Sequence, residues 1–576
     1  MMKKLLSTAA VGALALAAPV GAVRAAPSQN GIEHVLLISI DGMHSDDYIN
    51  CATDKTDVNG NASYCPTLAN LKSKSVNFLD ASTSKPSDSF PGLMAMVSGA
   101  TPRTMGVYYD VAYDRVLAPP AKTTGNGVAA GACNKNVANG TTTEYEEGID
   151  LDQTKLNGGA GDGGIASIDP SKLPRDPYNK CAPVYPWNFV RMNTIFGVIH
   201  QNGGYTAWTD KHPAYSSVSG PADPSAPNLD DYYAPEINSI PVALPGVTVA
   251  GSGVSCAPLP DQTAVSSSNA YTDSFQNIQC YDQLKVNAVL NQINRKTHDG
   301  TKAAPVPTIF GMNFQSVSVG QKLIQKSTGV KGGYLSNEGA PSDALFNEIK
   351  FVDAAIAQMI AALKKSNVYD STLIVITAKH GQSPMDSSRY TAMKSGSPVT
   401  TSPATILSNA GCLPYSESTN NANGIGPTED DISLIWLSSS CDASTAAAML
   451  ESASPATSNV AGIGQIFSGP AVTQMFGQPG VPPKGDSRTP DLVITPNVGV
   501  TYSGSSKKQA EHGGFSHDDT NVMLLVSNPN LMAGTVTVPV GTLQVAPTIL
   551  KALGLNPSLL QGVQQEGTQV LPHVFN

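Results

Sequence analysis

Residues 33–42 read EHVLLISIDG. The run from Glu33 to Ile40 is short and apolar, and it ends at Asp41-Gly42. A short continuous apolar run bounded by turn residues is expected of a strand buried on both faces, as in a parallel sheet. The same shape recurs along the chain. Tyr205-Thr206-Ala207-Trp208 runs into Thr209-Asp210-Lys211-His212, and Pro307-Thr308-Ile309-Phe310 runs towards Asn313 and Gln315. STLIVIT at 371–377 runs into Ala378-Lys379-His380-Gly381, and residues 491–494 and 521–526 supply further strands.

Helical patterns lie between these runs. Residues 342–365 carry Leu345, Ile349, Val352, Ile356, Met359, Ile360 and Leu363 at a helical period. Residues 189–202 and 545–553 read similarly. Strands alternating with helices predict an α/β fold, a doubly wound and mostly parallel sheet. Ligands of such sheets sit beyond the carboxyl ends of the strands, where Asp41, Asp210, Asn313, Gln315 and His380 fall. Three stretches break the rhythm: 111–185, 213–304 and 386–490 are rich in Gly, Pro, Ser, Asn and Thr. They are expected to be ordered loop insertions in one catalytic domain covering residues 27–576.

The formal net charge is −10, from 35 Lys and Arg against 45 Asp and Glu, and no basic run stands out. A nucleic-acid surface therefore has no electrostatic footprint. An acidic protein still binds an anionic substrate where a metal or local lysines reverse the field. The first 26 residues combine Lys3 and Lys4, an almost wholly apolar or small stretch from Leu5 to Val20, and Val23-Arg24-Ala25. That is the pattern of a secretory signal peptide cleaved after Ala25 or Ala26. The apolar stretch is short beside the roughly 20 residues that span a bilayer. No later segment is long and apolar enough to span, so an exported chain, periplasmic or secreted, is expected.

Eight cysteines, none in a CxxC pair, suit that address. Pairing sequence neighbours gives 51–65, 133–181, 256–280 and 412–441, each expected to staple a turn-rich stretch.

Five polar clusters follow strands or open helices. Asp41-Gly42-Met43 offers a hard-metal ligand, or equally a turn acid capping a helix. Ser89, in Lys85-Pro86-Ser87-Asp88-Ser89-Phe90-Pro91-Gly92, stands just before an apolar helical segment. Its hydroxyl either caps that helix or uses the positive helix end to favour an alkoxide and an incoming anion. Lys211-His212, Lys379-His380 and Glu511-His512 complete the set. With only nine histidines in the chain, three at one sheet edge beside Asp41 look like a metal site.

Taken together, VLLISIDG, SFPGLMAMVSGATPRTMGVYYD, ITAKHG, EHGGF and VAPTILKALGL resemble the alkaline phosphatase superfamily in order and spacing. The nearest branch is the type I phosphodiesterase/nucleotide pyrophosphatase family, and the resemblance spans about residues 33–555. It implies an exported hydrolase of phosphoric esters, a phosphodiesterase or phosphomonoesterase, acting on a small anionic ester. It implies Ser89 as nucleophile, and one or two divalent ions, usually zinc, held by Asp41, Ser89, His380 and His512. Asp210, Asn313 and Gln315 are expected to contact substrate.

The chain also departs from that pattern. Lys379 replaces the acid of the family's Asp-His-Gly motif, Gln315 stands near the place of another acid, and Gly92 replaces an Asn. Lys211-His212 resembles a sulfatase pair that holds anionic oxygens or protonates a leaving group. One metal, with Lys379 and Lys211 supplying positive charge as catalytic groups, fits both sets of features. Sulfuric or phosphonate ester hydrolysis, and a non-catalytic binding protein on the same fold, are the alternative readings.

Overall fold

The computed structural model describes residues 31–53, 62–136, 140–336, 338–414, 428–452, 461–503 and 505–575. The expected signal peptide lies outside the described residues. Strands used below are β1 (His34–Ile40), β2 (Ser75–Ser82), β3 (Ala207–Thr209), β4 (Asp231–Tyr233), β5 (Ile309–Phe314), β6 (Thr372–Thr377), β7 (Thr428–Glu429), β8 (Ser433–Ile435), β9 (Ile463–Ser468), β10 (Leu492–Pro496), β11 (Asn521–Ser527), β12 (Gly534–Val536) and β13 (Val540–Gly541). The central sheet runs β12-β2-β11-β6-β1-β5-β3-β4, with β13 also beside β2. β1 lies parallel to both β6 and β5, with Ser39 opposite Thr377 and Asn313. β11 alone runs against its neighbours β6 and β2.

The quoted strand shows why this sheet is central. Alternate side chains point to opposite faces. Leu36, Ile38 and Ile40 join one buried cluster, and Val35 and Leu37 join the other. Helices α1 (Ser45–Ala52), α2 (Ser89–Ser98), α3 (Phe275–Ile293), α4 (Ser316–Lys322), α5 (Asp343–Lys365) and α6 (Val545–Ala552) matter most here. α3 and α5 supply Phe275, Ile278, Leu345 and Ile349 to the first cluster. α2 and α6 supply Phe90, Leu93, Val545 and Ile549 to the second. Full burial of a Leu or Ile side chain is worth roughly 1.5–3 kcal/mol, so a strand buried on both faces anchors both layers. α5 begins as its sequence implies, with Ser342 accepting a hydrogen bond from the Leu345 amide.

Three expectations are corrected. Residues 491–494 do form a strand, but β10 belongs to a separate antiparallel sheet of order β7-β8-β10-β9. Most of that sheet is built from the third insertion. The second insertion, expected as loop, carries the 19-residue α3, capped by Ser274 and packed against α5 and the sheet. The cysteines pair as sequence neighbours, 51–65, 133–181, 256–280 and 412–441. Cys51 and Cys280, however, sit in helices α1 and α3 and not in loops. Among the described residues no helix is long and apolar enough to cross a membrane.

Candidate active site

The parallel strands deliver their following residues to one edge of the sheet. Asp41 follows β1, Gln315 follows β5, Asp210 follows β3, and Lys379 and His380 follow β6. Because β11 is reversed, the segment that precedes it, residues 511–520, reaches the same edge. Gly42, at φ +82°, turns the chain away after Asp41, a conformation glycine adopts without the Cβ penalty.

Ser89 is the first residue of α2. The cap is Asp88, whose carboxylate accepts from the Phe90 amide at 3.4 Å. The Ser89 hydroxyl is therefore not used as the cap. Its Oγ lies 3.5 Å from Asp41 Oδ2 and accepts a hydrogen bond from Lys211 Nζ at 3.1 Å. Ser89 and Asp41 are fully buried, and so nearly is Lys211. Burial alone would raise the Asp41 pKa, but the charges of Lys379 and His380 hold it well below the ordinary carboxylate value. Burial likewise opposes the charge on Lys211, and Glu146 outweighs it, so this lysine stays an ammonium. Lys211 Nζ also pairs with Glu146.

The other expected residues surround this centre. Gln315 Nε2 and Asn313 Nδ2 both donate to Asp41 Oδ2, at 2.6 and 3.2 Å. Their amides thus bond the carboxylate. Lys379 is fully buried and points inward: its Nζ bonds Asp210 Oδ1 at 2.9 Å and stands 4.0 Å over the Tyr215 ring. Asp210 also accepts from Trp208 Nε1 and the Lys211 amide. His212 is tied by Nδ1 to Glu236 at 2.8 Å. Burial opposes its charge, but Glu236 and its neighbours raise its pKa.

His380 and His512 stack with ring centroids 3.9 Å apart. His380 Nδ1 bonds the Gly381 carbonyl at 2.7 Å, and its Nε2 lies 3.5 Å from Asp41 Oδ2. With Nδ1 donating to that carbonyl, Nε2 is the nitrogen turned towards Asp41 and the one a metal ligand would use. His512 Nδ1 faces Asp88 at 3.4 Å. Burial, then the His380 charge, keep His512 neutral by holding its pKa well below the usual value.

Several participants escaped the reading of the sequence. Glu146, from the first insertion, touches Lys211 and accepts from the Tyr215 hydroxyl at 2.8 Å. With Asp88 and Asp110 it forms a carboxylate trio whose ligand atoms lie within 4.8 Å of one another. Burial and the Glu146 charge push Asp88 up to about 8. Burial and Asp88 push Asp110 well above its ordinary value. The trio could hold a cation, although the Lys211 ammonium already sits against its Glu146 member. α3 adds a supporting layer: Asp282 accepts the amides of Gln315 and Ser316, each at 2.8 Å, and Lys285 bonds the Asn313 carbonyl. The turn that aims Asn313 and Gln315 at Asp41 is thus held from behind.

Asp41 Oδ2, on a carboxylate held ionised, lies 3.5 Å from both Ser89 Oγ and His380 Nε2, a donor set that could hold one divalent ion. A second ion is not matched: the expected carboxylate position carries Lys379, and Gln315 presents an N–H to Asp41.

The profile of the type I phosphodiesterase/nucleotide pyrophosphatase family matches residues 35–142 and 327–519, just over half of the chain. No curated protein sequence matches. The fold is similar to that of the alkaline phosphatase PafA, with a TM-score of 0.53 at 12% identity, covering 95% of this chain and 99% of that one. An inactive variant of murine ectonucleotide pyrophosphatase/phosphodiesterase 5, solved in complex with AMP, gives a TM-score of 0.49 at 12% identity, with 91% and 96% covered. The human counterpart gives 0.47 at 11% identity, with 94% and 96% covered.

Proposed function

We propose that this chain, which belongs to the type I phosphodiesterase/nucleotide pyrophosphatase family, hydrolyses phosphoric esters through a covalent ester on Ser89. Family and fold together support a phosphoester hydrolase. The observation that carries the serine is its setting: a buried hydroxyl at a helix N-terminus, 3.5 Å from Asp41 and 3.1 Å from the Lys211 ammonium.

The chemistry follows from those contacts. The ammonium stabilises negative charge on Oγ, and the helix end adds its partial positive charge. Attack forms an Oγ–P bond as the hydroxyl loses its proton, and the ester's leaving group departs as an alkoxide with the bonding electron pair and takes up that proton to become the alcohol. Water then adds to phosphorus, phosphate or its monoester departs, and the serine hydroxyl is regenerated. Asp41 accepts from the hydroxyl and fixes its direction. Glu146 and Tyr215 hold Lys211 in place, and Asn313 and Gln315 hold Asp41. A divalent ion held by Asp41, Ser89, His380 and His512 would supply Lewis-acid stabilisation of negative charge at the serine oxygen. Carboxylate, hydroxyl and imidazole donors suit a zinc-like ion. The disulfides support work in an oxidising compartment, the periplasm or the medium, with residues 27–576 acting as one catalytic domain.

A panel of 4-nitrophenyl phosphate, bis(4-nitrophenyl) phosphate, 4-nitrophenyl phenylphosphonate and 4-nitrophenyl sulfate tests this reading. We expect fastest turnover of a phosphate ester, loss of activity on chelation, and one tightly bound ion per chain by metal analysis. Fastest turnover of the sulfate or phosphonate would reassign the substrate. No turnover with any divalent metal would make the chain a binding protein. Two tightly bound ions would overturn the single-ion site.

Gly92 offers a second test. A Cβ there would overlap the carbonyl oxygen of Lys379, so glycine lets the helix bearing Ser89 pack against the turn bearing His380. Gly92→Ala should push the two apart by a fraction of an ångström to an ångström. Steady-state kinetics should then show kcat/KM lower by about 10²-fold. A change smaller than about twofold would show that this close approach does not position the serine.

A further inference from the structure

A cleft of about 510 Å³ lies between the core and the third insertion, outside the cluster around Ser89. Its apolar lining includes Phe467, on the insertion strand β9, with Met475, Phe515 and Leu543. Phe467 and Phe515 are both half-buried, with ring centroids 6.2 Å apart. Two cations face the same space, Lys85 and Arg103, and both are exposed. No ion pair joins either to a carboxylate within the described residues. Arg103 is oriented by one hydrogen bond from Nη1 to the Gln474 carbonyl at 3.3 Å.

An apolar lining with half-buried aromatic rings gains from covering by an apolar body. Two unneutralised cations at its rim gain from an anion, and guanidinium and ammonium donors make charge-assisted hydrogen bonds to one. We propose that the cleft is a second ligand site that takes a small aromatic anion, its ring against Phe467 and Phe515 and its acidic group on Lys85 and Arg103. Lys85 lies four residues before Ser89, and Phe515 three after His512. A ligand here touches both segments that lead into the catalytic edge without using Asp41, Ser89, Lys211, His380 or His512. The proposal is independent of the Ser89 chemistry.

The test is calorimetric titration of the full chain with 1-naphthalenesulfonate, an aromatic anion that carries no hydrolysable ester. The expected result is saturable binding at one site. Lys85→Gln/Arg103→Gln should weaken it by about tenfold or more, the scale of a lost charge-assisted contact. Phe467→Ala should weaken it by a similar factor, and neutral 1-naphthalenemethanol should bind wild type about tenfold more weakly. No saturable binding would overturn the proposal. So would equal affinity in either variant, which would put the sulfonate elsewhere, or equal affinity for the neutral analogue.

Discussion

Ser89→Ala is expected to lower kcat/KM for phosphate esters by at least about three orders of magnitude, and as far as about six if the covalent route is the only one. The expectation rests on what the substitution leaves in place. Alanine removes one buried oxygen and nothing else, and the helix keeps its Asp88 cap. Asp41 stays bonded to Gln315 and Asn313, and Lys211 stays on Glu146. The fold and substrate binding should therefore survive, and the loss should fall on kcat. The check is steady-state kinetics beside a thermal melt of both proteins. A variant that melts like wild type and retains more than about a tenth of its activity would remove Ser89 from the chemistry.

Lys379→Met should be the most destabilising change at the site. Lys379 and Asp210 are both fully shielded from solvent and bond at 2.9 Å. Removing the ammonium leaves the carboxylate buried, with only the Trp208 indole and the Lys211 amide to satisfy it. Breaking one partner of a buried pair costs roughly 3–5 kcal/mol, because the remaining charge is uncompensated. Removing both charges together avoids that penalty. Lys379→Met/Asp210→Asn should therefore recover part of the loss, since no buried charge remains, although the single asparagine oxygen can accept from only one of the indole and the amide. Urea unfolding measures both variants. A Lys379→Met protein within about 0.5 kcal/mol of wild type would show that the pair carries no such burden.

Much of this architecture was legible because its signals are local. EHVLLISI is apolar at every position that the structure buries except Ser39, and the acid after it falls at the sheet edge, as parallel topology requires. The period of residues 342–365 gave α5 almost to the residue. Misreadings came where composition stood in for pattern. α3 hides in a stretch rich in Gly, Pro and Ser, yet Ser274 and the apolar positions after it mark a capped helix. β10 is as apolar as a core strand, and nothing in its own residues says which sheet it joins. At the site, Asp41, Ser89, Lys211 and His380 could be named because each adjoins a strand end or helix start. Glu146 could not, since it reaches Lys211 from an insertion 65 residues earlier in the chain. The same limit applied to Lys379. Its position suggested a charge in the site, but only the fold places Asp210 against it.

The central claim is a covalent ester on Ser89, and trapping that ester tests it most directly. Enzyme turning over 4-nitrophenyl phosphate is quenched in acid within the first turnovers, digested, and its peptides are sequenced by mass spectrometry. The account predicts one phosphoryl group per trapped chain, located on Ser89 and absent from the Ser89→Ala protein. A phosphoryl group on any other residue, or a burst of 4-nitrophenol with Ser89 unmodified, would contradict it.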